Sequence, residues 1–273
     1  LYAVNNASSF MSNHGDQHWD AVCRILRYVA DTTERGITYT QPSSSAPEVA
    51  VQVDGWSDAA LGECPSSRKS RIGTLVMING GFISGKSSRL KRAVTSSTGA
   101  EVYALSAAAH EVVSVRNQLR ELQHGVEATS TLRGDNQSSI LVATTPGKHR
   151  SSLRHLELHA FAIRDLIAEG EVTVCWCPGD DCIADLFTKS VDAPKFRKFT
   201  RFILGEATQE HKTALVSRAY CTYRVSDITQ AQQDRLPWVC VRGRGGKANG
   251  HVSVPRGKGA DGAELTSEQQ ALS

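Results

Sequence analysis

Four acidic side chains stand where the sequence pattern turns from one element to the next: Asp58 in EVAVQVDGWSDAAL, Glu101 in STGAEVYAL, Asp135 in LRGDNQSSI and Asp185 in DCIADLFTKS. Carboxylates gathered from separate elements are hard oxygen donors of the kind that suit magnesium, which keeps several of its waters. Two such ions about 4 Å apart can place a water in line with a phosphodiester and stabilise both the attacking and the leaving oxygen. Each acid also has a purely structural reading. Asp58 can be a turn former at a strand end, Thr98-x-x-Glu101 has capping-box spacing, Asp135 suits a strand-to-helix turn, and Asp185 suits the surface of a short helix. Asp54 shares a strand face with Asp58 by parity and competes for the first position. Four carboxylates in one cleft repel one another, so a site built from them is costly until metal arrives.

Other metal patterns are weaker. His155 and His159 are four apart and share a helix face, but Glu157 between them breaks the His-Glu-x-x-His order of a zinc peptidase. The seven cysteines are scattered with no C-x-x-C pair, which points to neither a disulfide framework nor a zinc module and fits a reducing compartment. Cys175 and Cys177 read as small core residues on one face of a strand.

The elements that must position the acids can be read from hydrophobic period. Val49, Val51 and Val53 alternate with polar residues, predicting a strand with one buried face that runs out at Asp58. Residues 71–78 and 82 onward form a hairpin around Asn79-Gly80. Residues 98–124 are helical, with Glu101 in the first turn and Gly125 as the stop. A short strand over 129–133 leads to Asp135, followed by a short helix over 137–143, a longer one over 152–168 stopped by Gly170, and a strand over 171–177. Residues 178–181 make a turn, and Asp185 lies on the helix after it. Three antiparallel strands followed by crossovers predict an α/β fold with a mixed sheet covered by helices.

The motifs, taken together, resemble the ribonuclease H domain of copia-type LTR retrotransposon polyproteins. Gly55-Trp56-Ser57-Asp58-Ala59, Arg68-Lys69-Ser70, Ser96-Ser97-Thr98 with Ala100-Glu101, Asp135-Asn136-Gln137-Ser138, Arg154-His155, and Ala184-Asp185 with Thr188-Lys189 follow the family's order and spacing over residues 48–205. The resemblance implies a ribonuclease H-like, five-stranded mixed sheet with helices on both faces. It implies metal-dependent endonucleolytic hydrolysis of the RNA strand of RNA/DNA hybrids. Asp58 would be shared by two magnesium ions, with manganese able to substitute; Glu101 and Asp135 would complete one ion and Asp185 the other. Asn136 and Gln137 would touch the hybrid, Arg68 and its basic neighbours would meet phosphates, and His155 would position substrate. An integrase-like nuclease shares the architecture, but a first-turn Glu101 after the third strand speaks against it. The chain departs from the family at Ala60, Gly99 and Gly85, where aspartate, glutamate and tryptophan are usual. None of the three belongs to the metal quartet, and a catalytically silent module with a structural or nucleic-acid-binding role is the alternative.

The segment FMSNHGDQHWDAVCRILRYV with RGITYT resembles the end of the reverse transcriptase region that precedes ribonuclease H in these polyproteins. Residues 1–42 are therefore expected to be an N-terminal helical remnant of that region, with a broad apolar stripe (Trp19, Val22, Cys23, Ile25, Leu26 and Val29) packing a helix over 14–31. Residues 41–47 form a linker, 48–206 the ribonuclease H-like domain, and 207–273 a tail expected to be largely disordered, since its second half is rich in glycine and basic residues. At 273 residues with a formal charge of +3, the chain permits nucleic-acid binding without demanding it. No signal-peptide pattern and no run of about 20 apolar residues is present, so no membrane is expected. The expected partners are the hybrid and the rest of the polyprotein, in a cytoplasmic virus-like particle or the nucleus.

Overall fold

The valine-rich run leads into a strand that is central rather than half-exposed. A computed structural model describes residues 1–39, 50–145, 156–207 and 220–221. In it β1 (Val53–Ala60) has six successive buried residues, as a strand covered on both faces must. Asp58 lies inside β1, opposite Gly73, and not beyond its end. The two-period pattern of the valines misplaced the strand because their run only approaches the sheet, where Val51 makes a single bridge to Val126.

β2 (Arg71–Ile78) and β3 (Gly81–Arg89) follow antiparallel, joined by Asn79 and Gly80, both at positive φ as this tight turn requires. Helix α3 (Ser97–Glu121) crosses to β4 (Ser130–Gly134), which pairs parallel with β1. Helices α4 (Gln137–Thr144) and α5 (Glu157–Ala168) then lead to β5 (Val172–Trp176), parallel to β4. The strand order is β3-β2-β1-β4-β5, extended by a two-residue edge strand β6 (Tyr220–Cys221). Beyond β5 come the one-turn α6 (Asp185–Thr188) and α7 (Ala193–Ile203).

The helices divide between the faces. Leu105, Ala108 and Ala109 of α3 pack with Leu132, Val174, Ile140 and Ile163 on one side. Trp56, Leu75 and Met77 pack with Ile183, Phe187, Phe199 and Phe202 on the other. Close approach on each face is set by a missing side chain. A Cβ on Gly55 would lie 2.7 Å from Val112 of α3, and one on Gly73 would lie 2.8 Å from Phe187 and Thr188 of α6. This is the expected α/β fold, a mixed sheet with helices on both faces.

Several local expectations change. Helix α3 ends at Leu122 with Gln123, not Gly125, in the left-handed conformation. The capping box of Thr98 and Glu101 does not form, because Ser96 is the cap and accepts from the Gly99 amide. Cys175 and Cys177 are both buried as expected, but Cys175 is in addition disulfide-bonded, which the scattered cysteines did not predict. Helix α7 was not anticipated, although Asp192 caps it, Pro194 opens it, and Phe196, Phe199 and Phe202 recur every three residues.

The N-terminal segment, which carries α1 (Tyr2–Ser8) and α2 (Asp16–Ala30), is tied to β3 and to the end of α7 by α1 and by the stretch after α2. Asn5 donates to the Ser87 carbonyl at 2.8 Å, Tyr39 to that of Phe82 at 2.7 Å, and the Thr38 amide to that of Leu204 at 2.9 Å. The stripe on α2 does not become a packed face: Trp19, Leu26 and Val29 are exposed, and no α2 residue is fully buried. The linker at 41–47 and nearly all of the 207–273 tail lie outside the described residues.

Candidate active site

The parallel register of β1 and β4 brings two acids together. Asp54, Gly55 and Trp56 pair with Thr131, Leu132 and Arg133, so β1 runs on to Asp58 as β4 runs on to Asp135. Glu101 approaches from the fifth residue of α3, one turn further in than the expected first turn because the helix begins at Ser97, and Asp185 from the first residue of α6, which Gly73 allows to lie against the sheet. Carboxylate oxygens of Asp58, Glu101 and Asp135 lie within 4.8 Å of one another. Those of Asp58 and Asp185 lie within the same distance, together with the Cys182 sulfur. Asp58 is common to both groups.

Burial and crowding dominate the electrostatics. Burial, then the charges of Asp58 and Asp135, push Glu101 up to about 9. Burial, then Asp185, push Asp58 up to about 6, and the same causes raise Asp135. Two lysines offset the charge. Lys189 Nζ lies 2.8 Å from Asp185 Oδ1 and 3.7 Å from Asp58 Oδ1, and Lys195 Nζ lies 2.8 Å from Asp185 Oδ2. Burial works against both ammonium groups, but their acidic neighbours outweigh it and raise them. Thr188 donates a hydrogen bond to Asp58 Oδ2, fixing that carboxylate.

The residues fit a divalent metal. Four carboxylates converge, three of them buried and Asp135 half-buried, and the Lys189 ammonium already lies between the oxygens of Asp58 and Asp185 as a cation would. The donor chemistry suits a hard cation. The Cys182 thiol does not add a thiolate: its contact with Cys177, then burial, push its pKa well up, and it donates to the Ser57 carbonyl at 3.5 Å.

The other expected residues are spread around the cleft. Asn136 caps α4, its side-chain oxygen accepting from the Ser139 amide at 2.9 Å, and Gln137 is exposed at the start of that helix. Arg68 is exposed in the loop that carries the chain from β1 to β2, at φ 52°. His155 lies outside the described residues. His159, its partner in the pair considered above, hydrogen-bonds Ser106 at 3.1 Å and packs its ring at a 57° tilt against Tyr103. Thr188 and Lys189 sit in the quoted motif but had no role assigned from sequence, and nothing in the sequence marked Lys195.

Asp54 is engaged elsewhere. It pairs with Arg133 at 2.7 Å, both buried, and the Arg133 guanidinium lies over the Trp56 ring. Breaking such a pair leaves a buried charge uncompensated, which costs about 3–5 kcal/mol. Asp54→Ala is therefore expected to lower the denaturation midpoint sharply while leaving divalent-metal affinity of the folded fraction unchanged. Chemical denaturation with metal titration checks both.

No family model matches the chain. It is 29% identical over 202 residues to the "Retrovirus-related Pol polyprotein from transposon RE2" of Arabidopsis thaliana, covering 74% of this chain and 13% of that protein. It is 30% identical over 196 residues to the "Retrovirus-related Pol polyprotein from transposon TNT 1-94" of Nicotiana tabacum, covering 71% and 14%. The "Transposon Ty1-DR5 Gag-Pol polyprotein" of Saccharomyces cerevisiae is 26% identical over 206 residues, covering 73% and 11%. Among solved structures, ribonuclease H1 from the archaeon Halobacterium salinarum superposes with a TM-score of 0.38 at 17% identity, covering 57% of this chain and 99% of that one. The chain thus spans only about one-eighth of the length of the polyproteins it matches. Among the described residues no helix is long and apolar enough to cross a membrane. The chain is a homologue of one segment of the Gag-Pol polyproteins of Ty1/copia-type transposons, and that segment folds as an α/β mixed sheet with helices on both faces.

Proposed function

We propose that the chain is the ribonuclease H part of a retrotransposon polyprotein and hydrolyses the RNA strand of RNA/DNA hybrids with divalent metal, magnesium in the first place and manganese as a substitute. The observation that supports this is the convergence of Asp58, Glu101, Asp135 and Asp185, with Asp58 shared between two donor groups. Glu101 and Asp135 would hold metal beside Asp58 on one side, and Asp185 on the other. Magnesium held there supplies an activated water and stabilises charge on the attacking and leaving oxygens. Thr188 keeps Asp58 oriented for sharing, and the neutral Cys182 closes the floor of the cleft.

Substrate choice would rest on the 2′-hydroxyl, the group that marks RNA to a protein. With its oxygen taken by the cap of α4, Asn136 has its amide N–H groups to offer a minor groove, and Gln137 is free to join it. Arg68, Lys69, Lys86, Arg89, Lys91 and Arg92 would meet phosphates, giving salt dependence without sequence preference. His155 would position substrate. Residues 1–42 are assigned to the end of the reverse transcriptase region, and the rest of the polyprotein, in a cytoplasmic particle or the nucleus, is the partner.

A labelled hybrid incubated with the full chain, with and without magnesium, tests the reading. The RNA strand should be cut only with metal, and a DNA duplex should survive. Binding of the hybrid with no cleavage in magnesium or manganese would instead identify a silent nucleic-acid-binding module.

A further inference from the structure

The two lysines beside Asp185 are held very differently. Lys195 is fixed: its Nζ lies 2.8 Å from Asp185 Oδ2, donates to the Gly179 carbonyl at 2.7 Å and rests 5.5 Å from the centre of the Phe199 ring, with its side chain 20% exposed. Lys189 is held by carboxylates alone, and its side chain is 45% exposed. Its Nζ reaches Asp185 Oδ1 at 2.8 Å and Asp58 Oδ1 at 3.7 Å, so one ammonium spans the two acids that the proposed function asks to share a cation. Lys189 is also the C-cap of α6, and its side chain can swing outward without unwinding that turn.

We infer that Lys189 is a resident occupant of the cation position between Asp58 and Asp185, one that divalent metal must displace and that is then released toward the phosphates of a bound strand. The inference rests on the metal-dependent reading given above. Without metal, Lys189 neutralises a pair of buried carboxylates whose mutual repulsion would otherwise strain the junction of α6 with β1. With metal, two like charges cannot share the gap, and the flexible, solvent-reaching group is the one that leaves. Lys195 cannot take this role, because its backbone partner and the Phe199 ring hold it on the far side of Asp185.

The ammonium therefore competes with metal, and removing it should tighten metal binding. Manganese titration of the full chain, followed by the electron paramagnetic resonance signal of the free ion, reads this directly. Lys189→Met keeps the apolar stem and is expected to bind manganese about tenfold more tightly than the wild type, a modest share of the repulsion between charges at this distance. Lys189→Arg keeps the charge and should stay within about twofold of the wild type. The metal-free melting temperature of Lys189→Met should fall, and manganese should restore it. Circular dichroism before titration checks folding, with Lys189→Gln as the second variant. Wild-type binding that Lys189→Met and Lys189→Gln leave unchanged or weaken overturns this inference alone. Absence of binding in every variant and the wild type overturns the metal-dependent reading, and this inference with it.

Discussion

Asp58→Asn is expected to reduce cleavage of an RNA/DNA hybrid by at least about a hundredfold while the chain stays folded, the scale of losing one electrostatic group aimed at developing charge. Among the described residues, Asp58 is the acid common to the Glu101–Asp135 group and the group with Asp185, within 4.8 Å in each. Removing its charge therefore weakens both halves of the site together. Asparagine retains the size and an acceptor for the Thr188 hydroxyl, so α6 keeps its tie to β1. It also relieves part of the crowding that raises Glu101, so the metal-free melting temperature should hold or rise near neutral pH. Hybrid cleavage and thermal melting of the same preparation check the two halves; a variant that melts normally and still cuts would remove Asp58 from the chemistry.

Glu101→Gln is expected to lose activity on a similar scale and, in addition, to flatten the pH dependence of stability. The capping alternative predicts no such loss, but Ser96 already caps α3 and leaves Glu101 free of that duty. Burial and neighbouring acids raise Glu101 from its ordinary 4.5 to about 9. Between those values the folded state holds a proton that the unfolded state has released, so stability contributed by the protonated form is full below about 4.5 and is lost as pH rises toward about 9. The slope from this one group approaches about 1.4 kcal/mol per pH unit. Glutamine stays neutral throughout and should remove most of that decline. Denaturant unfolding of the metal-free protein at pH 5, 7 and 9 would show it, and a wild-type chain whose metal-free stability did not fall over this range would contradict the raised carboxyl.

Much of this was legible in the chain. Hairpin chemistry at Asn79-Gly80, the stop at Gly170 and the order of the motifs carry local information and led to the sheet and its helices. What was misplaced depends on partners distant in sequence. A strand buried on both faces loses its two-period signal, which is why β1 was set too early along the valines. The stripe on α2 predicts a packing face, yet Trp19, Leu26 and Val29 are exposed, because periodicity marks an apolar face without marking what covers it. Within the candidate site, the four acids were legible through the ordered motifs that carry the family resemblance, since each carboxylate alone also suits a turn or a cap. Lys189 and Lys195 did not, since a lysine in sequence looks the same whether it is solvated or aimed at a buried aspartate.

Gly73 gives the site a dimension that no acidic residue supplies. It faces Asp58 across the β1–β2 ladder, and a single added carbon there would overlap Phe187, Thr188 and the Ala184 carbonyl at 2.8–2.9 Å. The turn that carries Asp185 is thus seated by the absence of an atom on the neighbouring strand. The glycine works as a spacer gauge: the gap between Asp58 and Asp185 is calibrated by backbone thickness, a quantity that cannot drift with rotamers. Exchange of many of the surrounding apolar residues would keep that calibration, but a methyl group at position 73 would push the turn outward and open the gap with all four acids still in the chain.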